Sequence, residues 1–285
     1  MSWADLARSG VTQAASPAES ARFGVDVARV TVGAATEAST RAVELRRALA
    51  EADADVVVVR YPAEAGDCAA VVATSGDDVL PAGALVYWAL SPGAGRAQVA
   101  HPDLVVVGAG EPGAPRSLDD AVTAVVEASF AGYANHYTFD PLLDDAAALA
   151  GYAEWAHRAT TVDPATTVDP AVTTAQPQVG TVVLLHGEEA VGVATTSTGA
   201  EPDGSHHVEV LLAGLGRAWQ GRGWYQVLLS GVASRAFATG ATRLVISTQV
   251  HNTRVQRAWA RQGLEPFAAV ETVHVVRRGL LAARR

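Results

Sequence analysis

LLAGLGRAWQGRGWYQVLLSGVASRAFATGATRLVISTQVHNTRVQRAWARQG, from Leu211 to Gly263, decides the fold. An apolar strand breaks at Gln220–Gly221–Arg222–Gly223 into a glycine-rich turn, and a helix-like run follows through about Ala238. A second apolar strand spans Arg243–Ser247, and another helical pattern starts after Asn252 and closes at Gly263. A strand that ends in a turn of small residues at a helix start presents several free backbone N–H groups in one direction. The helix dipole adds partial positive charge there. Such a turn suits a phosphate or pyrophosphate, and Arg222 is placed to add a charge-assisted contact. It is neither G-x-G-x-x-G nor G-x-x-x-x-G-K-[ST], and the chain contains no lysine.

The turn resembles the Q/R-x-x-G-x-G/A signature of the GCN5-related N-acetyltransferases (GNAT). Gln220 and Gly223 occupy its first two fixed positions, while Tyr225 replaces the last small residue. Downstream, Asn252, Ala258 and Gly263 fall at the spacing of that family's N-x-x-x-x-x-A-x-x-x-x-G-F, with Leu264 in place of the aromatic. The core resemblance covers roughly residues 179–276. It implies an α/β fold with a central mixed, mostly antiparallel sheet flanked by helices, and acetyl-coenzyme A as the acyl donor. By resemblance the cofactor falls to Gln220, Gly221, Arg222, Gly223, Trp224, Tyr225 and the backbone of Leu215, with the Trp259 indole N–H near the sulfur. Asn252 would position the pantetheine arm or the following helix, the alternative being a helix N-cap. Within the family, TQVHNT (Thr248 to Thr253) and RAWARQG look most like the branch that acetylates nucleotide-linked amino sugars.

The chain of 285 residues is 49% hydrophobic and 18% charged, which reads as globular. Its net charge of −9 disfavours a nucleic-acid surface. One cysteine, Cys68, excludes an intramolecular disulfide and a cysteine-based metal cluster. The histidines show no metal-ligand pairing, so no metal is expected. The N-terminus lacks an apolar core of signal-peptide length, and no run approaches the ~18 apolar residues of a membrane span. A cytoplasmic protein without membrane association is expected, with a small-molecule amine as partner; a homodimer is compatible with the sequence.

Three parts are expected: a flexible stretch 1–20, an incomplete GNAT-like α/β domain 21–99, and a catalytic GNAT domain 100–285. In the first domain, Phe23–Val32 alternates as a strand, Thr36–Asp53 has helical spacing, and Val56–Val59 reads as a strand buried on both faces. Setting Gly76 on Gly263 places this strand on Arg243–Ile246, and Ala84–Leu90 then falls on Val270–Val276 to within about one residue. The segment is thus a candidate faded copy of the C-terminal one, the alternative being that any two strand–helix–strand units align this well. It has Gly33 but no counterpart of the whole QGRG turn, and so no expected pyrophosphate site. Its expected role is to wall the acceptor cleft. Residues 160–171 repeat TTVDPA twice, and 160–175 read as a surface insertion.

Acyl transfer to an amine needs a base, a donor for the developing oxyanion and an acid for the leaving thiolate. The family takes the oxyanion donor from a backbone N–H on the strand before the loop, which falls near Leu215. Glu209 is the first candidate base, with His207 second. Glu209 precedes Gln220 by the spacing at which histone-type family members place their glutamate. Strict alternation would put Glu209, Leu211, Ala213 and Leu215 on one apolar face, raising the carboxyl pKa. The tyrosine acid of many family members is replaced here by Trp259, which leaves Tyr225, a water or an unassisted thiolate. Tyr133, His136 and Tyr137 of the loop GYANHYTFDP are candidate acceptor contacts, the alternative being an aromatic plug.

Overall fold

The computed structural model describes residues 2–96, 99–161, 180–201 and 203–283. Most of the TTVDPA insertion lies outside these residues. In chain order the elements are α1 (Trp3–Leu6), β1 (Val11–Ala15), α2 (Pro17–Phe23), β2 (Val27–Val32), α3 (Ala38–Glu51), β3 (Val56–Pro62), α4 (Gly66–Ala73) and β4 (Asp78–Leu90). There follow β5 (Leu104–Gly108), α5 (Leu118–Phe130), a short 3-10 turn (His136–Phe139), α6 (Asp145–Thr161), β6 (Thr181–His186), β7 (Glu189–Ala200) and β8 (His206–Leu215). The chain closes with α7 (Trp224–Ala238), β9 (Arg243–Gln249), α8 (Thr253–Gln262), β10 (Glu265–Val276) and α9 (Leu280–Ala283).

Ten strands among the described residues form one mixed, mostly antiparallel sheet in the order β1-β2-β3-β10-β4-β9-β8-β7-β6-β5. Only β2–β3 and β8–β9 run parallel, and each parallel pair is bridged by a helix, α3 or α7. The order from β2 to β8 reads alike from both ends. Each half runs strand, helix, strand, helix, strand, and each half's last strand lies beside the other half's middle strand. Pro62 of β3 pairs Val270 of β10, while Gln249 of β9 pairs Leu85 of β4. This agrees to one residue with the alignment of Val56–Val59 on Arg243–Ile246. The strands β4 and β10 are therefore exchanged between two similar halves.

Side-chain alternation sorts the helices onto two faces. On β10, Val273 and Val275 pack with α3 and α4, while Val276 faces α2 and α6. On β9, Leu244 and Ile246 pack with α7, while Val245 faces Trp3. The helices α3, α4, α7 and α8 thus share one face, and α1, α2, α5 and α6 cover the other. β3 is buried along its whole length, as VVVV implies.

Residues 2–20, expected to be flexible, are instead built into the fold. β1 pairs with β2 from Val11↔Val32 to Ala15↔Ala28. Trp3 and Leu6 are buried, with Trp3 against Tyr87 and Phe267 and beneath the Arg243 guanidinium. The expected strand from Phe23 starts later, at Val27, because α2 runs to Phe23 and ends on left-handed Gly24 (φ 65°). Trp3→Ala is expected to cost about 3 kcal/mol in denaturant unfolding, as for other buried aromatic truncations. A flexible leader would lose nothing.

The same segment fills the first half's counterpart of the glycine turn. Gly33, Ala34 and Ala35 N–H groups donate to the carbonyls of Gly10, Leu6 and Arg8. A Cβ on Gly33 would stand 1.9 Å from the Arg8 carbonyl oxygen. Backbone carbonyls thus occupy the donors that a phosphate would need.

Candidate active site

β8 and β9 pair only from His207↔Arg243 to Val210↔Ile246, then diverge. At the point of divergence the β7–β8 register shifts between Thr195 and Thr196, leaving Leu211 as an extra residue. A bulge of this kind bends the strand and reverses its alternation. Val208, Val210 and Leu215 pack with α7, whereas Leu212 packs with α5. Glu209 therefore faces the α1/α5 side and does not share a face with Ala213 and Leu215. The strict two-residue period fails at Leu211.

The gap opened by the bulge has its own donors. Gly216 N–H donates to the Val191 carbonyl, toward β7. Alternation then turns the N–H groups of Leu215 and Ala213 the other way, into the gap. Gln220 Nε2 donates to the Leu215 carbonyl at 3.1 Å, tying the turn to the same edge. Gly221 (φ 81°) and Gly223 (φ 79°) are both left-handed, and Gly223 is the N-cap of α7. Among the described residues, the N–H groups from Gly221 to Tyr225 have no backbone partner outside the helix. A side chain at Gly223 would strain this left-handed backbone by about 1–2 kcal/mol. The free turn would relieve that strain by leaving the conformation that aims its N–H groups at the gap, and a bound anion would have to restore it. Gly223→Ala is accordingly expected to weaken anion or cofactor binding here by roughly tenfold, read by calorimetry.

Two cavities meet in the gap. One, of about 540 Å³, runs along Gly214, Leu215, Gln220, Gly221 and Gly223 to α8. The other, of about 450 Å³, extends under α2, α6 and the His136–Phe139 turn. Phe130, Tyr133, Ala213, Tyr225, Asn252 and Val255 line both.

Glu209 lines the second cavity and is 3% exposed. Burial raises its pKa to about 7, against the opposing hydrogen bond from Trp3 N–H to Oε2 at 2.8 Å. His207, the second candidate base, lines neither cavity. Its ring lies against Gly199 with Nδ1 2.8 Å from the Glu201 carboxylate, and burial lowers its pKa. It is held beside the Glu201–Arg243 ion pair, away from the lining of the gap.

Trp259 is 1% exposed and packs edge-on against Trp88. Its indole Nε1–H donates to the Tyr225 hydroxyl at 3.1 Å. That bond occupies an acceptor site on Tyr225 and leaves its own O–H free to donate. Burial pushes the Tyr225 pKa up to about 12, so the hydroxyl stays protonated. The tryptophan in the tyrosine position thus orients a tyrosine from the neighbouring helix.

Trp224 does not line either cavity; it stacks on Trp219 (5.0 Å, 16°) and His186. Arg222 is likewise diverted, lying over the Trp219 and Trp224 rings at 5.0 and 5.2 Å. A different cation serves the turn. Arg254, one residue into α8, lines the cavity with Arg261, and its Nη1 donates to Gln220 Oε1 at 3.5 Å. The seven-residue spacing of these two arginines on a helix was the available signal. Asn252 makes no side-chain cap; its Nδ2 donates to Thr248 Oγ1 at 3.0 Å.

Tyr133 reaches Thr248 Oγ1 with its hydroxyl (3.2 Å). Tyr137 donates to the Glu19 carboxylate, and burial raises its pKa to about 12. His136 Nδ1 meets His274 Nε2 at 3.1 Å, and His274 Nδ1 meets the Asp140 carboxylate at 2.8 Å. His136 and His274 therefore share one hydrogen bond between their facing ring nitrogens, its direction set by the tautomers of the two rings. Burial, then the nearby Arg60 charge, holds His136 well below the usual imidazole range. These three loop residues line the second cavity. Among the described residues no group of three His, Cys, Asp or Glu could hold a metal ion. No helix there is long and apolar enough to cross a membrane.

Residues 143–264 match the model of the acetyltransferase (GNAT) family, a family that uses acetyl-coenzyme A. Among solved structures the chain is similar to a GCN5-related N-acetyltransferase from Sphaerobacter thermophilus, at 14% identity and a TM-score of 0.57. That match covers 95% of this chain and 78% of the other. A GCN5-related N-acetyltransferase from Kribbella flavida matches at 15% identity and TM-score 0.53, covering 90% and 84%. A tandem GNAT protein from the clavulanic acid biosynthesis pathway matches at 15% and 0.51, covering 88% and 75%. At such identities the likeness is one of fold. No curated protein matches in sequence.

Proposed function

Taking residues 143–264 as a GNAT acetyltransferase segment, we propose that the protein transfers an acetyl group from acetyl-coenzyme A directly to the amine of a small acceptor. The observation that carries this is the meeting of two cavities at a gap lined by Ala213, Tyr225 and Tyr133, with a raised-pKa carboxylate on the far cavity. The residues present fit the cofactor. The N–H groups from Gly221 to Tyr225, with Arg254, would hold its pyrophosphate. The N–H groups of Ala213 and Leu215 would hold the pantetheine and the thioester oxygen. The cofactor supplies the activated acyl group.

This chain's residues do the rest. Glu209, with a pKa near neutrality, takes the proton from the acceptor amine, and the distance along β8 to Ala213 calls for water in between. Ala213 N–H donates to the developing oxyanion. Tyr225 O–H, oriented by Trp259, donates to the departing thiolate. Tyr133, His136 and Tyr137 contact the acceptor. We take a nucleotide-linked amino sugar, in the cytoplasm, as the first acceptor to examine, on the likeness of TQVHNT and RAWARQG to that branch.

The test is thiol release and product mass from acetyl-CoA with a panel of primary amines: amino-sugar nucleotides, polyamines, antibiotics and peptide N-termini. Amine-dependent thiol release with an acetylated product supports the reading. Saturable coenzyme A binding without turnover on any amine would replace it with a binding module that has lost catalysis.

A further inference from the structure

We propose that the acceptor is an elongated molecule carrying an anionic oxygen group, a carboxylate or a phosphate, at the end away from its amine, and that Arg60 holds that group. This rests on the acetyl-transfer reading for the amine, but the anion site stands on its own observations. Arg60 belongs to β3, a strand of the first half. Its neighbours Val59 and Tyr61 pack with α3 and α4, so Arg60 turns to the opposite face and lines the acceptor cavity. It is 9% exposed. Its Nε donates to Thr272 Oγ1 at 3.3 Å, and no carboxylate lies within ion-pair distance of it among the described residues.

The other charges of that wall are already matched. Arg29 holds Glu19 through two hydrogen bonds of 2.7 and 2.8 Å, and Glu19 also accepts from Tyr137. Arg22 and Arg158 both pair with Glu154. Asp140 is taken up by His274, and His136 is neutral. Among the described residues, Arg60 is therefore the buried cation of this wall without a carboxylate partner. A buried charge without a partner is costly, and arginine cannot shed its proton to escape the cost. With Nε engaged, the two Nη groups present the fork that binds a carboxylate or phosphate in bidentate fashion.

The sheet order sets the length of the ligand. Arg60 on β3 and Ala213 on β8, beside which the amine reacts, are separated by β10, β4 and β9, which is four inter-strand steps or roughly 19 Å between backbones. After the Arg60 side chain reaches inward, roughly 10 Å remains between the anion and an amine beside Ala213. Short α-amino acids do not bridge that span. A long ω-aminocarboxylate or a phosphate-bearing amino sugar does.

The experiment compares matched pairs with the wild type and Arg60→Met. One pair is a long ω-aminocarboxylate with the alkylamine of the same length; the other is a nucleotide-linked amino sugar with the free, neutral amino sugar. The wild type is expected to show a KM roughly thirtyfold lower for the anionic member of at least one pair, and which pair identifies the anion. Arg60→Met is expected to erase that gap by raising KM, with kcat changed only a few-fold and coenzyme A affinity kept. Arg60→Lys, which keeps the charge, should recover part of the preference. In buffer alone Arg60→Met should melt no lower than wild type, because it removes an unmatched cation. Equal KM values within both pairs, or a gap that survives in Arg60→Met, would overturn the proposal. If no amine is acetylated, the acetyl-transfer reading fails by itself. Melting with a long alkanoate and with inorganic phosphate then decides for Arg60: stabilisation of wild type that Arg60→Met lacks supports the site, and its absence removes it.

Discussion

Glu209→Gln is expected to lower kcat/KM by roughly 10²–10⁴-fold, the usual contribution of a positioned general base. The substitution keeps the shape and the acceptor for Trp3 N–H, so the loss is one of proton affinity. Glu209 lines the acceptor cavity and not the cofactor cleft, so acetyl-CoA affinity should be unchanged. The wild-type rate should rise with pH through about 7 as the carboxyl loses its proton, and the variant should lack that limb. Stability provides an independent readout. Because the folded pKa lies above the ordinary 4.5, folding favours the protonated form. The contribution is fully present below pH 4.5 and is lost as pH rises to about 7, by on the order of 3 kcal/mol. The melting temperature of Glu209→Gln relative to wild type should therefore climb across that window and stay level above it. A full rate with a flat pH comparison would remove Glu209 from the chemistry.

Tyr225→Phe is expected to reduce kcat roughly 10²-fold. It removes an O–H that lines the gap and is fixed through a second residue, the indole of Trp259. The variant leaves a buried indole N–H without its partner, so a stability loss of about 1–3 kcal/mol should accompany the rate loss. The two effects separate in the leaving-group dependence. An acyl donor with a more acidic thiol should restore much of the Tyr225→Phe rate and little of the Glu209→Gln rate. With its pKa near 12, Tyr225 should add no alkaline limb to the rate profile below that range. An unchanged kcat in Tyr225→Phe would mean that the thiolate leaves without help from a side chain.

The sequence made legible what is local. The QGRG turn announces itself through glycines that must adopt left-handed backbone, and the strand–helix–strand–helix run through apolar periodicity. Glu209 follows from its spacing to Gln220. What sequence reading missed depends on partners far along the chain. Ser/Ala-rich residues 2–20 look unstructured because their order comes from pairing with β2 and from the rings of Tyr87 and Phe267. The bulge at Leu211 carries no residue signal; a leucine there resembles any other strand leucine, yet it reverses the face of Glu209. Trp259 looked like a missing acid until its contact with Tyr225 on another helix was in view. Arg222 sits inside the turn but is drawn onto two tryptophan rings, and Arg254 takes the place beside Gln220. Arg60, within VVVVRYP, carries no hint of its lack of a partner.

The measurement that bears most directly on the account is calorimetric titration of acetyl-CoA into the wild-type protein and Gly223→Ala. One cofactor per chain should bind saturably at the gap between β8 and β9, and Gly223→Ala should weaken it by roughly tenfold. No saturable heat in the wild type at millimolar acetyl-CoA, or equal affinity in the two proteins, would contradict the assignment of the QGRG turn and the reaction built on it.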